Sequence, residues 1–110
     1  MTPLDHLHRL MGRVAVFEPG HVWLAGAGPG DPAHLTLDCV AGLAQADVVV
    51  HDALVDRRTR DMCRDGARLE CAGKRGGKPS ATQADITSRL VELARQDLRV
   101  LRLKGGDPFM

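Results

Sequence analysis

Three glycines at 26, 28 and 30, interleaved with Ala27 and Pro29 and followed by Asp31 and Pro32, form the first segment able to do chemistry. Glycine lets a backbone come close to a ligand where a side chain would block it. The spacing is G-x-G-x-G, not the G-x-G-x-x-G that cradles a pyrophosphate at a helix N-terminus. Pro29 and Pro32 each lack an N–H, and Asp31 puts negative charge where a phosphate would need donors. The loop therefore disfavours a dinucleotide and suits a ligand without phosphate, adenosylmethionine being one, or else a plain strand-to-helix turn. Near the other end, Gly105-Gly106 precedes Asp107 and Pro108. This pair again permits close approach, beside a carboxylate able to accept from a ribose hydroxyl or an amino group. Taken alone it also reads as a turn.

Two ionisable residues stand in comparable places. Asp52 follows the run VVVH, and Lys74 follows RLECAG with Arg75 beside it. A positioned carboxylate can take a proton or stabilise developing cationic charge, and an ammonium can give a proton. Asp52 equally suits the cap of a short helix over 54–63, and Lys74 with Arg75 a solvated loop pair. His51 is expected to pack rather than to bind a ligand.

The elements that must position these residues follow from the pattern of apolar side chains. HVWLAG at 21–26 is a short apolar run stopping at glycine, a strand. LTLDCVAGLAQA at 35–46 has near-helical apolar spacing. DVVVH at 47–51 is a β-branched run fit for a buried strand. DRRTRDMC suggests a short helix, RLECA at 68–72 a third strand, and LRVLRL at 98–103 a fourth. Between the last two, Thr82 is a candidate N-cap, with Asp85 three residues on, for a helix whose Ile86, Leu90, Leu93 and Ala94 form one stripe. Alternation of strand and helix with buried strand runs predicts an α/β fold, an open and mostly parallel sheet flanked by helices. Ligands of such sheets bind beyond the carboxyl ends of the strands. All four chemistry-bearing segments lie there, so Asp31, Asp52, Lys74 and Asp107 are expected at one end of the sheet.

Composition narrows the function further. In 110 residues, 44% hydrophobic and 26% charged, one globular core is affordable and disorder is disfavoured. Fifteen basic against fourteen acidic side chains leave +1, no global field for nucleic acid or a membrane surface. Phe17, Trp23 and Phe109 are the only aromatics, too few for a base-stacking platform. Cys39, Cys63 and Cys71 are odd in number and lack C-x-x-C spacing, so neither a metal site nor a disulfide framework is expected. With no signal-peptide core and no apolar span, a cytoplasmic location is expected. Residues 1–20 read as an extension or linker, with Leu4, Leu7, Leu10 and Met11 able to line a short helix.

The runs VWLAGAGPGDPAHLTLDCV, ADVVVHDALV, GKRGGKPSATQADI and RVLRLKGGDPF resemble the N-terminal domain of the uroporphyrinogen-III C-methyltransferases, within the tetrapyrrole methylase superfamily. The resemblance covers residues 21–110. GAGPGDP is shared across the superfamily, whereas GKR and RLKGGDPF point to the uroporphyrinogen branch. His51 replaces a customary Tyr and Thr87 a customary Asn.

The resemblance implies methyl transfer from S-adenosylmethionine to two pyrrole carbons of uroporphyrinogen III, giving precorrin-2 on the route to sirohaem and cobalamin. By motif position it implies donor contacts at Pro29, Gly105, Gly106, Asp107 and Met110, a proton acceptor at Asp52 and a proton donor at Lys74. Arg57, Arg58, Lys74, Arg75 and Lys78 would meet the substrate's carboxylates. The family's unit has a second domain, so residues 21–110 are expected to be its N-terminal domain, truncated before the second. Two alternatives stay open: a non-catalytic remnant and a methylase of a later precorrin. Homodimerisation of the complete enzyme is open as well.

Overall fold

Strands Val22–Gly26 (β1), Val48–His51 (β2), Arg68–Cys71 (β3) and Val100–Lys104 (β4) form one sheet in the order β1-β4-β2-β3. Every neighbouring pair is parallel. Helices Pro3–Met11 (α1), Leu37–Gln45 (α2), Arg57–Arg60 (α3) and Gln83–Ala94 (α4) accompany it among the described residues, with a short 3-10 turn at Pro32–His34. The computed structural model describes residues 1–13, 15–27, 31–52, 55–72 and 83–105. The expected Thr82 cap lies outside them. The α/β fold with an open parallel sheet is the architecture the alternating pattern predicts.

Period-2 alternation along the two central strands sorts the core into two layers. Val49, Leu101 and Leu103 face α2 and pack with Cys39, Leu43 and Phe17. Val48, Val50 and Val100 face the other way and pack with Leu90 and Leu93 of α4. β2 and β4 are thus buried on both sides, which is why each reads as a nearly unbroken apolar run. Burying a side chain such as Leu43, Leu93 or Leu101 contributes about 1.5–3 kcal/mol each. Gly42 lets α2 lie close on the sheet: a Cβ there would come within 3.0 Å of Leu101 Cδ1 and 3.4 Å of the Trp23 ring.

Local polar contacts set where the elements begin. The Thr36 hydroxyl caps α2 by accepting from the Cys39 amide at 3.1 Å. At α1, Thr2 and Asp5 form a reciprocal capping box. β4 starts two residues later than the apolar run suggests. The Leu98 carbonyl accepts from Gly20 at 3.0 Å, and the Arg99 amide donates to the Asp47 carboxylate at 2.7 Å instead of to the ladder.

Residues 15–20 take part in the domain's packing. Phe17 is fully buried and stacks on Trp23, with ring centroids 4.2 Å apart and planes 3° from parallel. Its amide donates to Gln45 Oε1 at 3.0 Å and its carbonyl accepts from Arg99 Nε at 2.7 Å. Among the described residues, no helix is long and apolar enough to cross a membrane.

Candidate functional site

Because β4 lies between β1 and β2, the carboxyl ends of three strands adjoin at the centre of the sheet. Beyond the last strand residues the pairing continues. Ala27 N–H donates to the Lys104 carbonyl at 2.7 Å, Asp52 N–H to the Leu103 carbonyl at 3.4 Å and Ala72 N–H to the His51 carbonyl at 2.7 Å. Gly26, Asp52 and Gly105 therefore stand side by side on one rim. Among the described residues, a Cβ added at Gly26 would meet nothing within 4 Å, so none of them blocks close approach to the backbone there.

Asp52 holds the centre of this rim. One carboxylate oxygen, Oδ1, accepts from Arg102 Nη2 at 2.7 Å; the other, Oδ2, accepts from the Gly105 amide at 3.1 Å. The Asp52 side chain keeps 28% of its surface exposed, while that of Arg102 keeps 5%. The carboxylate is thus fixed from within and reachable from without. Arg102 Nη1 also donates to the carbonyls of Val50 at 3.3 Å and Leu103 at 3.1 Å. A charge this buried needs such partners, since an unpaired one would cost several kcal/mol.

The helix-cap alternative for Asp52 does not hold. α3 starts at Arg57, later than expected, and its N-cap is Asp56, whose Oδ1 accepts from the Arg58 amide at 2.7 Å. Among the described residues, Asp52 meets that turn through its carbonyl, which accepts from Val55 at 3.3 Å. His51 is packed, 5% exposed, and its Nδ1 lies 3.0 Å from the Asp52 carbonyl. A carbonyl can only accept, so Nδ1 carries the proton.

Asp31 caps the 3-10 turn, its Oδ1 accepting from the Ala33 amide at 2.9 Å. Arg58 is held by Asp56 through Nε and Nη2, each at 3.2 Å. That pairing raises the guanidinium's affinity for its proton, with a lesser contribution from Asp31. Arg57 is 86% exposed and only loosely paired with Asp61 at 3.9 Å. Pro29, Lys74, Arg75, Lys78, Gly106, Asp107 and Met110 lie outside the described residues. Of the expected site, the structure brings together Asp52 and Gly105. Among the described residues no group of His, Cys, Asp and Glu could hold a metal ion.

Arg102 went unrecognised in the sequence, where LRVLRL reads simply as a strand. The available signal was a single cation between two leucines in a run buried on both faces, a place where charge is tolerated only with a partner.

Residues 21–110 match the family model of the tetrapyrrole (corrin/porphyrin) methylases. A uroporphyrinogen-III C-methyltransferase from Sinorhizobium sp. is 61% identical over 101 residues, covering 92% of this chain and 36% of the relative. A sirohaem synthase of Pseudoalteromonas translucida is 50% identical over 91 residues, covering 83% of this chain and 19% of the relative. Among solved structures, a Thermus thermophilus uroporphyrin-III C-methyltransferase in complex with S-adenosylhomocysteine superposes with a TM-score of 0.65 at 38% identity, covering 82% of this chain and 37% of the other. The chain spans about a third or less of the length of these relatives. It belongs to the tetrapyrrole methylases.

Proposed function

We propose that this chain supplies the N-terminal, donor-side unit of an S-adenosylmethionine-dependent C-methyltransferase that converts uroporphyrinogen III to precorrin-2. The observation carrying this reading is the junction of Asp52 and Gly105 on adjacent strand ends, beside the open backbone of Gly26. A carboxylate and two glycines, Gly26 and Gly105, share one rim, as an enzyme needs when it brings a methyl donor against a reacting carbon. Similarity to a C-methyltransferase and to a protein bound to S-adenosylhomocysteine supports the same chemistry.

Adenosylmethionine, when bound, supplies an electrophilic methyl on a sulfonium. The pyrrole carbon that accepts the methyl leaves its ring cationic until a proton departs. Asp52, exposed at the rim yet held at both oxygens, stabilises that charge and takes the proton. Gly105, with Pro29, Gly106, Asp107 and Met110, forms the donor contacts, and Lys74 is the proton donor that the family motif assigns. Arg57, with little claim on it from Asp61, is free to meet substrate carboxylates. The reading places residues 21–110 as the first of two domains, working in the cytoplasm.

The test is transfer of labelled methyl to uroporphyrinogen III by the protein extended through the full length of its relatives, with adenosylhomocysteine binding measured alongside. Binding without transfer to this porphyrinogen overturns the substrate. Absence of binding overturns the donor.

A further inference from the structure

We propose that Arg102 is a positioning residue, whose guanidinium sets the Asp52 carboxylate and, through it, the entry into the Gly105 segment. The inference rests on Asp52 being the acid–base group of the methyl transfer, and extends that reading to a side chain outside the reacting centre.

The guanidinium's place is dictated by main chain. Nη1 is anchored on the carbonyls of Val50 in β2 and Leu103 in β4, so the fork sits between the two central strands before it reaches any side chain. Nη2 then meets Asp52 Oδ1 at 2.7 Å. With that oxygen fixed, Oδ2 falls where the Gly105 amide donates to it at 3.1 Å. Four groups from two strand ends are thus locked in one arrangement, and the carboxylate loses its rotational freedom while staying open to solvent on one side. Lysine cannot reproduce this, because a single ammonium lacks the planar fork that serves two carbonyls and a carboxylate at once.

Stability alone gives no reason for the arrangement. Arg102 emerges on the α4 side of the sheet, in register with Val50 and next to Val48 and Val100. Apolar side chains in place of both Arg102 and Asp52 would fill the space without desolvating a charge, and replacing a whole buried pair in this way is commonly neutral or stabilising. What the arginine adds is a carboxylate aimed in one direction, at the rim shared by Gly26 and Gly105.

The experiment uses the protein at the full length of its relatives, with Arg102→Met, Arg102→Gln, Arg102→Lys, Asp52→Asn and the double variant Asp52→Asn with Arg102→Met. Misplacement of a reacting group by about an ångström costs on the order of 100-fold in rate. Arg102→Met and Arg102→Gln are expected to lower kcat by about that factor, with Arg102→Lys recovering only part. The double variant is expected to turn over within about twofold of Asp52→Asn, since a residue acting through Asp52 has nothing further to lose once Asp52 is gone. In the same proteins carrying 15N-glycine, hydrogen exchange at the Gly105 amide is expected to quicken in Arg102→Met and Arg102→Gln. The amide of Gly20, bonded to the Leu98 carbonyl away from the rim, keeps its protection and reports an intact fold. Two substitutions of different shape ensure that loss of the fold in one does not decide the outcome. Multiplying losses in the double variant, or unchanged exchange at Gly105 in a folded variant, overturns the proposal. A parent protein that transfers no methyl, yet shows the Gly105 response, removes the enzymatic reading and leaves the clamp standing.

Discussion

Asp47, just ahead of β2, accepts the Arg99 amide at 2.7 Å, and so ties the amino ends of the two central strands as Asp52 and Arg102 tie their carboxyl ends. Arg64 Nη2 adds a second contact to Asp47 at 2.7 Å. Burial pushes the Asp47 carboxyl up, but the Arg99 amide and the Arg64 and Arg99 guanidiniums outweigh it and hold the group below the usual carboxylate range. A carboxyl lowered on folding stabilises the protein above its unfolded value, near pH 4, and that contribution is lost as pH falls through the folded value. Asp47→Asn is expected to cost roughly 1–3 kcal/mol at neutral pH. Urea titrations at falling pH should show the gap between parent and variant closing below about pH 4. A constant gap would mean that the charge is irrelevant.

Asp52→Asn in the full-length protein is expected to lower turnover by roughly 100- to 10,000-fold while weakening donor binding much less. Steady-state rates with calorimetric binding of adenosylhomocysteine separate the two effects. Turnover within about twofold of the parent would remove Asp52 from proton chemistry.

Phe17→Ala is expected to destabilise the fold by about 3–5 kcal/mol, because the ring is fully buried against Trp23. Chemical denaturation of the variant checks this. A loss below about 1 kcal/mol would place residues 15–20 outside the cooperative unit.

Cys39 is fully buried at α2, and burial, with some help from Cys63, pushes its thiol up to about 11. Thiolate is the reactive form. Alkylation of the folded protein at mildly alkaline pH, followed by peptide mass mapping, is expected to modify Cys63 and Cys71 well before Cys39. Early labelling of Cys39 would show that α2 opens readily.

The elements were legible because β2 and β4 are largely apolar and buried on both faces and α4 carries one clean stripe. The strand order was not, since nothing local in LRVLRL says that it inserts between the first two strands. That insertion is what brings Gly105 to Asp52. Asp52 as a helix cap could not be dismissed from sequence while Asp56 stood equally well placed for the role that it takes. The packing of Phe17 leaves no local sign in the sequence, because its partners Gln45, Trp23 and Arg99 are distant in sequence or carry no local periodicity.

The placement of β4 has a consequence for how the sheet comes into being. Among the described residues β1 touches no strand other than β4, and β2 is paired on that side by β4 as well. On a growing nascent chain, β2 can zip to β3 early, while β1 waits for the whole intervening stretch to emerge. Closure across so long a separation is entropically slow. Folding of this sheet should therefore commit late, at the moment when β4 slides into the gap. That strand also carries Arg102 and leads into Gly105, so assembly of the sheet and assembly of the rim are a single event.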